Sequence, residues 1–370
     1  MAAKRPVVLY GASGFSGRLV AEYLREFGVP FIAAGRNKSK IQDVMGRVPG
    51  IETADYEIAE VGASIDELAK LFAGAKVVCN TVGPFIYYGP TVVEAALKAG
   101  CHYVDISGEQ AWHRQVAECW GEKFAAKGLL VAPATAFMSA PSDAAARICM
   151  ESANVDSLEI LSMFDGMPTF GSTQTIFAVI QTEGYYLEQN RYKPWIRAKG
   201  YEVVVPGYMR PQLALSWGGF PHPVWYNNEP QIANVRSFGG LLNREIMEGV
   251  LATEKHFEET IRPLPKTEQE KKLAEMANAV QSGMPPRENS RTQRTIDVVV
   301  GRGSTDYVQC VVFGTCCYRQ TGLLQAYAAH ALSLGAQKKV GFASPAAAFG
   351  PRELLKVLES FGLSKLKMIS

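Results

Sequence analysis

The residues with the clearest chemistry are Gly11, Gly14 and Gly17, which separate the apolar run Val7-Val8-Leu9-Tyr10 from a stretch where Leu19, Val20, Tyr23, Leu24 and Phe27 recur at helical spacing. A strand that runs through three such glycines into a helix is a site for a dinucleotide. Gly11 permits the tight turn, Gly14 lets the backbone approach a pyrophosphate, and Gly17 allows the helix to pack closely on the strand. The helix start, with Ser13, Phe15 and Ser16 between the glycines, then offers N–H groups and a positive dipole end to the phosphates.

Further on, Phe31-Ile32-Ala33-Ala34 reads as a second strand and ends in Gly35-Arg36-Asn37-Lys38-Ser39-Lys40, within the spacing at which this arrangement contacts the ribose. A carboxylate there would accept from the 2′-hydroxyl of NAD. An arginine instead offers a planar fork of donors to a 2′-phosphate. Arg36, with Asn37 and Lys38 beside it, therefore points to NADP(H). The plainer alternative is that Arg36 and Lys38 are solvated residues opening a surface helix.

These residues need a sheet that brings several strand ends together. Apolar runs and helical stretches alternate to about residue 150, as a doubly wound parallel sheet requires. The expected strands are Val7 to Tyr10, Phe31 to Ala34, a short one near Thr53 to Tyr56, Lys76 to Asn80, His102 to Ile106 and Leu129 to Ala132, with a helix from Pro90 to Ala99 closed by Gly100. After Arg147 the texture changes. A strand begins at residues 157 to 165, short β-like pieces broken by Gly and Pro fill 200 to 237, and two charged helices span roughly 240 to 278. A polar loop around Ser282 to Ser290, a hairpin of Thr295 to Val300 and Tyr307 to Phe313, and tail helices at Gly322 to Leu334 and Pro351 to Phe361 complete the chain. The fold class expected is α/β, an N-terminal Rossmann sheet at 1–147 with the C-terminal helices of 319–370 returning to it, and a second α+β domain at 148–318 on a largely antiparallel sheet.

Composition narrows the partners. The chain has 370 residues, 47% of them hydrophobic, enough for two cores, and a net charge of +2, which argues against a general binder of nucleic acid or anionic membranes, since that needs a concentrated basic face. No signal peptide precedes the first strand and no apolar run is long enough to span a bilayer, so a cytoplasmic location is expected. Seven cysteines without CxxC spacing read as buried free thiols, and five histidines without HxxxH or HExxH spacing leave no metal site expected.

The runs Val78-Cys79-Asn80-Thr81-Val82-Gly83-Pro84-Phe85, Tyr88-Gly89-Pro90 and Gly100-Cys101-His102-Tyr103-Val104-Asp105-Ile106-Ser107-Gly108-Glu109, together with the glycine loop, resemble the saccharopine dehydrogenase-like oxidoreductase family, in particular its trans-acting enoyl reductase branch. The resemblance is sharp over residues 7 to 143 and returns in the tail at Gly341 to Gly350. It implies a Rossmann domain, NADP(H) and oxidoreductase activity. One departure matters. Where the family commonly places an aspartate, this chain has Met138, in Ala136-Phe137-Met138-Ser139, so no role of that carboxylate carries over and the pocket there is expected to be less polar.

In open α/β sheets ligands bind outside the carboxyl ends of the strands, which places Asn80, Thr81, Val82, Gly83 and Pro84 against the cofactor. Tyr88, Tyr103, Asp105 and Ser107 are the catalytic candidates, with Tyr87 and Glu109 near them. Each has a structural alternative: Asp105 as a helix cap, Tyr88 as core, Glu109 as a first-turn charge. No tyrosine is followed four residues later by lysine, which disfavours the alcohol chemistry of short-chain dehydrogenases. Between Phe164 and Tyr226 lie eleven further aromatic residues, among them Tyr186, Trp195, Tyr201 and Trp225, walls suited to an apolar substrate if they are not core. Arg191, Lys193, Arg197, Lys199 and Arg210 among them could clamp carboxylates, as saccharopine-type chemistry would need, but their irregular spacing reads more as a solvated rim. The leading expectation is an NADPH-dependent reductase of a conjugated C=C bond in an apolar small molecule. The alternatives are imine chemistry of the saccharopine type and a nucleotide-binding scaffold without turnover. The expected assembly is a homodimer.

Overall fold

A computed structural model describes residues 5–280 and 285–369. Part of the polar loop expected at Ser282 to Ser290 lies outside them; Pro285 to Ser290 form no helix or strand. The chain divides into two compact units.

The first comprises the described residues up to Ser107, Trp112–Ala140 and Tyr318–Gly362. In it β1 (Val7–Tyr10), α1 (Phe15–Glu26), β2 (Phe31–Gly35), α2 (Lys38–Met45), β3 (Tyr56–Glu60), α3 (Ile65–Phe72), β4 (Val77–Asn80), α4 (Phe85–Ala99), β5 (His102–Asp105), α5 (Gln110–Ala126) and β6 (Leu130–Ala132) alternate. With a short later strand at Gly341–Phe342 the six strands pair in parallel, in the order 341–342, β6, β5, β4, β1, β2, β3. This is the Rossmann order with one strand added at the β6 edge, and its switch point falls between β1 and β4. The buried stripes VVLY of β1 and VVCN of β4 form its centre, since strands covered on both faces are apolar throughout.

Two expected boundaries are corrected here. The strand foreseen at Thr53 to Tyr56 is β3, shifted to Tyr56–Glu60, because Gly50 takes a left-handed turn (φ 69°) and Ile51–Thr53 close into a 3-10 turn that buries Ile51. The helix foreseen from Pro90 begins at Phe85, with Pro90 inside it. Proline so near the helix start removes only one intrahelical hydrogen bond. Gly100 does close the helix in the left-handed conformation.

The second unit comprises Gly108–Ala111, Pro141–Cys317 and the residues from Leu363. Its elements are α6 (Ala140–Cys149), β7 (Ser157–Phe164), α7 (Phe170–Ile180), β8 (Tyr185–Glu188), β9 (Arg191–Pro194), β10 (Tyr201–Val203), β11 (Gln212–Ala214), α8 (His222–Tyr226), β12 (Asn234–Leu241), α9 (Arg244–His256), α10 (Lys266–Val280), β13 (Arg294–Arg302) and β14 (Tyr307–Thr315). The chain then returns to the first unit through α11 (Cys317–Ser333), β15 (Gly341–Phe342), α12 (Pro345–Phe349) and α13 (Pro351–Ser360). The sequence places the final stretch, within 319–370, with the tail helices of the first unit. It instead forms β16 (Ser364–Ile369), hydrogen-bonded to β14. The second sheet runs β16-β14-β13-β7-β12-β8-β9 and is largely antiparallel, with β12 alone lying parallel to β7. The region read as short β pieces also contains a helix, α8, and α7 arose where only aromatic residues had been noted.

Candidate functional site

The glycine loop of the first unit is shaped for close approach. Gly11 has φ 91°, and a Cβ on it would strike the Thr81 hydroxyl and the Val82 side chain. A Cβ on Gly17 would overlap the Gly11 carbonyl oxygen and Ala12, so helix and loop pack there without room for a side chain. Gly14 is different. It is the N-cap of α1 with no capping side chain, and a Cβ on it would meet only the Gly11 oxygen, at 3.3 Å. The first N–H groups of α1 are thus left open toward a ligand. The Ser13 and Ser16 hydroxyls are half-buried and make no hydrogen bond among the described residues. The Phe15 ring is committed elsewhere, packed edge-on to Tyr318 at 5.2 Å with the Arg18 guanidinium 4.5 Å above it, so only its backbone remains for binding.

The β4 loop is tied to this cradle. Thr81 donates through its hydroxyl to the carbonyls of Tyr10 and Gly11, at 3.0 and 3.1 Å. Asn80, fully buried, accepts from the Val82 N–H and donates to the Tyr103 hydroxyl, both at 3.0 Å. Gly83-Pro84 is a cis peptide, and Pro84 caps α4. At the end of β2, Arg36 is exposed and forms no salt bridge among the described residues. Its charge reaches Tyr10, whose hydroxyl burial pushes above the usual phenol range while Arg36 opposes the shift. Asn37 is the N-cap of α2, its side chain accepting from Lys40 N at 2.8 Å, and the Lys38 N–H donates to Glu60. A cradle in which Gly14 has no capping partner, together with an uncommitted guanidinium at the ribose position, fits NADP(H).

Of the four catalytic candidates, three converge and one stands apart. Asp105, at the end of β5 and fully buried, accepts at Oδ1 from the Ser107 hydroxyl (2.5 Å), Ser107 N (3.0 Å) and Ala134 N (3.0 Å), and at Oδ2 from the Tyr103 hydroxyl (2.9 Å) and Trp112 Nε1 (2.8 Å). Burial raises its carboxyl above the ordinary range, and the Ser107, Trp112 and Ala134 donors pull the other way. The Ser107 oxygen also lies 2.8 Å from Nε2 of buried His113, and Gln325 on α11 donates to the Asp105 and Thr135 carbonyls at 2.7 and 3.0 Å. Trp112, His113 and Gln325 were missed by sequence reasoning; their only signal was helical spacing, which cannot reveal a partner on another element. Tyr88 is instead on the exposed face of α4, 53% accessible.

In the second unit most of the expected aromatic walls pack on one another. Trp195 meets Tyr186, Tyr201 and Phe238 at 4.7, 5.7 and 5.1 Å, while Phe177 and Trp225 are core. Arg197, expected in a solvated rim, is corrected: it forms a salt bridge to Glu258 at 2.5 Å and donates to the Thr182 and Ile180 carbonyls. It borders a cavity of about 30 Å³ with Glu254, Ser216 and Trp195, room for a water or two. A second feature is a line of buried polar groups. Asp297 accepts from the Ser162 hydroxyl at 2.6 Å, Ser162 lies 3.4 Å from Ser142, and His222 is held between Ser142 and Ser237, each at 3.1 Å. Asp297 Oδ2 has no partner, and burial pushes this carboxyl up to about 7. Asp143, one residue past Ser142, accepts from the Tyr226 hydroxyl at 2.7 Å. Among the described residues no cluster of His, Cys, Asp and Glu is arranged for a metal, and no helix is long and apolar enough to cross a membrane.

The fold and cradle define a Rossmann protein for a phosphorylated dinucleotide, and comparison agrees: residues 7–131 match the saccharopine dehydrogenase NADP binding domain. Residues 140–370 match a family of unknown function, DUF5938, to which the chain belongs. Among similar proteins are a lipid droplet localized protein of Caenorhabditis elegans, 39% identical over 37% of this chain and 34% of its own length, and the human saccharopine dehydrogenase-like oxidoreductase, 34% identical over 37% and 35%. A trans-acting enoyl reductase of Mycobacterium tuberculosis is 37% identical over 37% and 33%. The matched region spans about a third of these relatives. The solved saccharopine dehydrogenase (L-Glu forming) of Saccharomyces cerevisiae shares the fold, with a TM-score of 0.60 over 99% of this chain and 100% of that one at 12% identity.

Proposed function

We propose that this chain is an NADPH-dependent reductase of a conjugated C=C bond in an apolar small molecule, an enone or enoyl group. The observation that carries the cofactor side is the unpaired Arg36 fork at the end of β2 beside a glycine cradle with no capping side chain. The relative named trans-acting enoyl reductase supports the reaction class, as do the absence of a tyrosine followed four residues later by lysine and the presence of Met138 where the family commonly has an aspartate.

When bound, NADPH would supply the hydride for the substrate's β-carbon. The electron pair of the C=C bond then takes a proton at the α-carbon. In this reading α1 and the Ser13 and Ser16 hydroxyls hold the pyrophosphate, Arg36 with Lys38 holds the 2′-phosphate, and Asn80 to Pro84 form the wall along the cofactor. Asp105 is a positioning residue, because both its oxygens are occupied by donors: with Tyr103 and Ser107 it fixes the end of β5. Tyr88, the exposed hydroxyl among the candidates, donates to the substrate carbonyl oxygen or delivers the α-proton. A cytoplasmic location and a homodimer belong to the same proposal. The lipid-droplet name of one relative suits a lipid-like substrate.

The test is NADPH oxidation by the purified full chain with a conjugated enone and 4-deuterated cofactor. The saturated ketone carrying deuterium at the β-carbon is expected, with Tyr88→Phe lowering the rate and leaving NADPH affinity unchanged. Label on a carbinol or amine carbon refutes the reaction; NADPH binding without any turnover leaves the scaffold reading.

A further inference from the structure

Apart from that reaction, one face of the second unit carries exposed apolar side chains together with two cations, Arg210 and Lys367, that form no ion pair among the described residues. The β10–β11 hairpin lies on the sheet through Val205 and Ala214, which pack with Leu161, Met163, Ile296, Val298 and Val311. The loop joining its strands, residues 204–211, leaves Val204 81% and Met209 102% exposed, with Tyr208 and Arg210 beside them and no carboxylate among the eight. Register extends the patch. Ile296 pairs with Phe313 and Phe313 with Lys365, while Val298 pairs with Val311 and Val311 with Lys367. Laterally paired residues share a face, so Phe313, 42% exposed, and the exposed Lys365 and Lys367 lie on the face that the hairpin covers only in part. Arg210 and Lys367 have no ion pair among the described residues, whereas Arg302 on this face is neutralised by Glu159, and Asp165 and Arg294 near Tyr208 offset one another.

We infer that this face docks on an anionic lipid bilayer surface, which corrects the expectation drawn from the net charge of +2, because the cations here are local to one face. Val204 and Met209, the most exposed side chains of the loop, enter the acyl boundary, Tyr208 sits at headgroup level, and Arg210 with Lys367 meets the lipid phosphates and carboxylates. Charge decides against a second copy of this chain, because two-fold pairing of a patch with itself sets cations against cations.

The full chain is sedimented with phosphatidylcholine vesicles and with phosphatidylcholine–phosphatidylserine vesicles. Binding to the anionic vesicles alone is expected, weakened about 30-fold when two cations are lost in Arg210→Gln with Lys367→Gln, and lost in Val204→Asp with Met209→Asp. An unchanged circular dichroism spectrum and NADPH affinity show that these variants fold. Equal binding to both vesicles, or to neither, overturns the inference. So does sedimentation velocity showing a self-association that the same substitutions abolish, or retention only on an acidic protein.

Discussion

Replacing Asp297 by Asn removes a pH-dependent burden on the second unit. The carboxyl is 1% exposed, receives a single hydrogen bond, from Ser162, and has its other oxygen orphaned. Its burial raises it from the ordinary 3.8 to about 7. A raised acid pKa means that the folded state keeps a proton which the unfolded chain releases at lower pH. Stability is therefore fully present below the unfolded value and lost as pH rises toward the folded one. A shift of about three units corresponds to about 4 kcal/mol of lost stability above neutrality. Between about pH 5 and about pH 8 the loss is about 3 kcal/mol. The Asn amide keeps an acceptor for Ser162 but places an N–H₂ where no partner stands, a pH-independent cost of about 1–3 kcal/mol. The assay is urea unfolding of the full chain at both pH values, followed by circular dichroism and tryptophan fluorescence. The wild type should lose about 3 kcal/mol relative to the variant on going from the acidic to the alkaline buffer. Parallel pH profiles for the two proteins refute the reasoning, whatever their offset.

Three other outcomes are expected. Arg36→Ala should weaken NADPH binding by about 1.5–3 kcal/mol, the range for a hydrogen bond to a charged group, and leave NADH unchanged; a cofactor titration reads both, and equal wild-type affinity for the two cofactors removes the assignment of Arg36. Gly14→Val should abolish NADPH binding with little change in melting temperature, because a Cβ there meets only the Gly11 oxygen, at 3.3 Å, whereas Gly17→Ala should lower the melting temperature as well, because its Cβ overlaps the Gly11 oxygen and Ala12. Asp105→Ala removes the acceptor of Tyr103, Ser107, Trp112 and Ala134 in a dry interior, and denaturant unfolding should show a loss of at least about 1–3 kcal/mol, the cost of leaving a buried donor unsatisfied.

Local chemistry determined much of this protein before any contact was known. Gly11, Gly14 and Gly17 between a strand and a helix, and Arg36 at the end of the next strand, are short-range patterns whose meaning depends on backbone freedom and charge. The Rossmann sheet and NADP(H) were legible from them for that reason, and the family resemblance from the runs 78–85 and 100–109 beside the glycine loop. Periodicity likewise announced the hairpin of β13 and β14. What only the tertiary structure decided is which polar groups share a site. Tyr103, Asp105 and Ser107 lie within one short segment, but their burial depends on Trp112, on Ala134 and on Gln325 from a distant helix, contacts that no spacing encodes. The terminal strand β16 and the parallel placement of β12 beside β7 were invisible for the same reason: a strand's partner is set by what remains uncovered after the rest has packed. Arg197 among aromatic residues looked solvated, and it is half-buried and held by two carbonyls and a carboxylate because the chain around it folds back. Sequence specifies the chemistry each side chain offers; long-range packing decides which of those offers meets water, a partner or nothing.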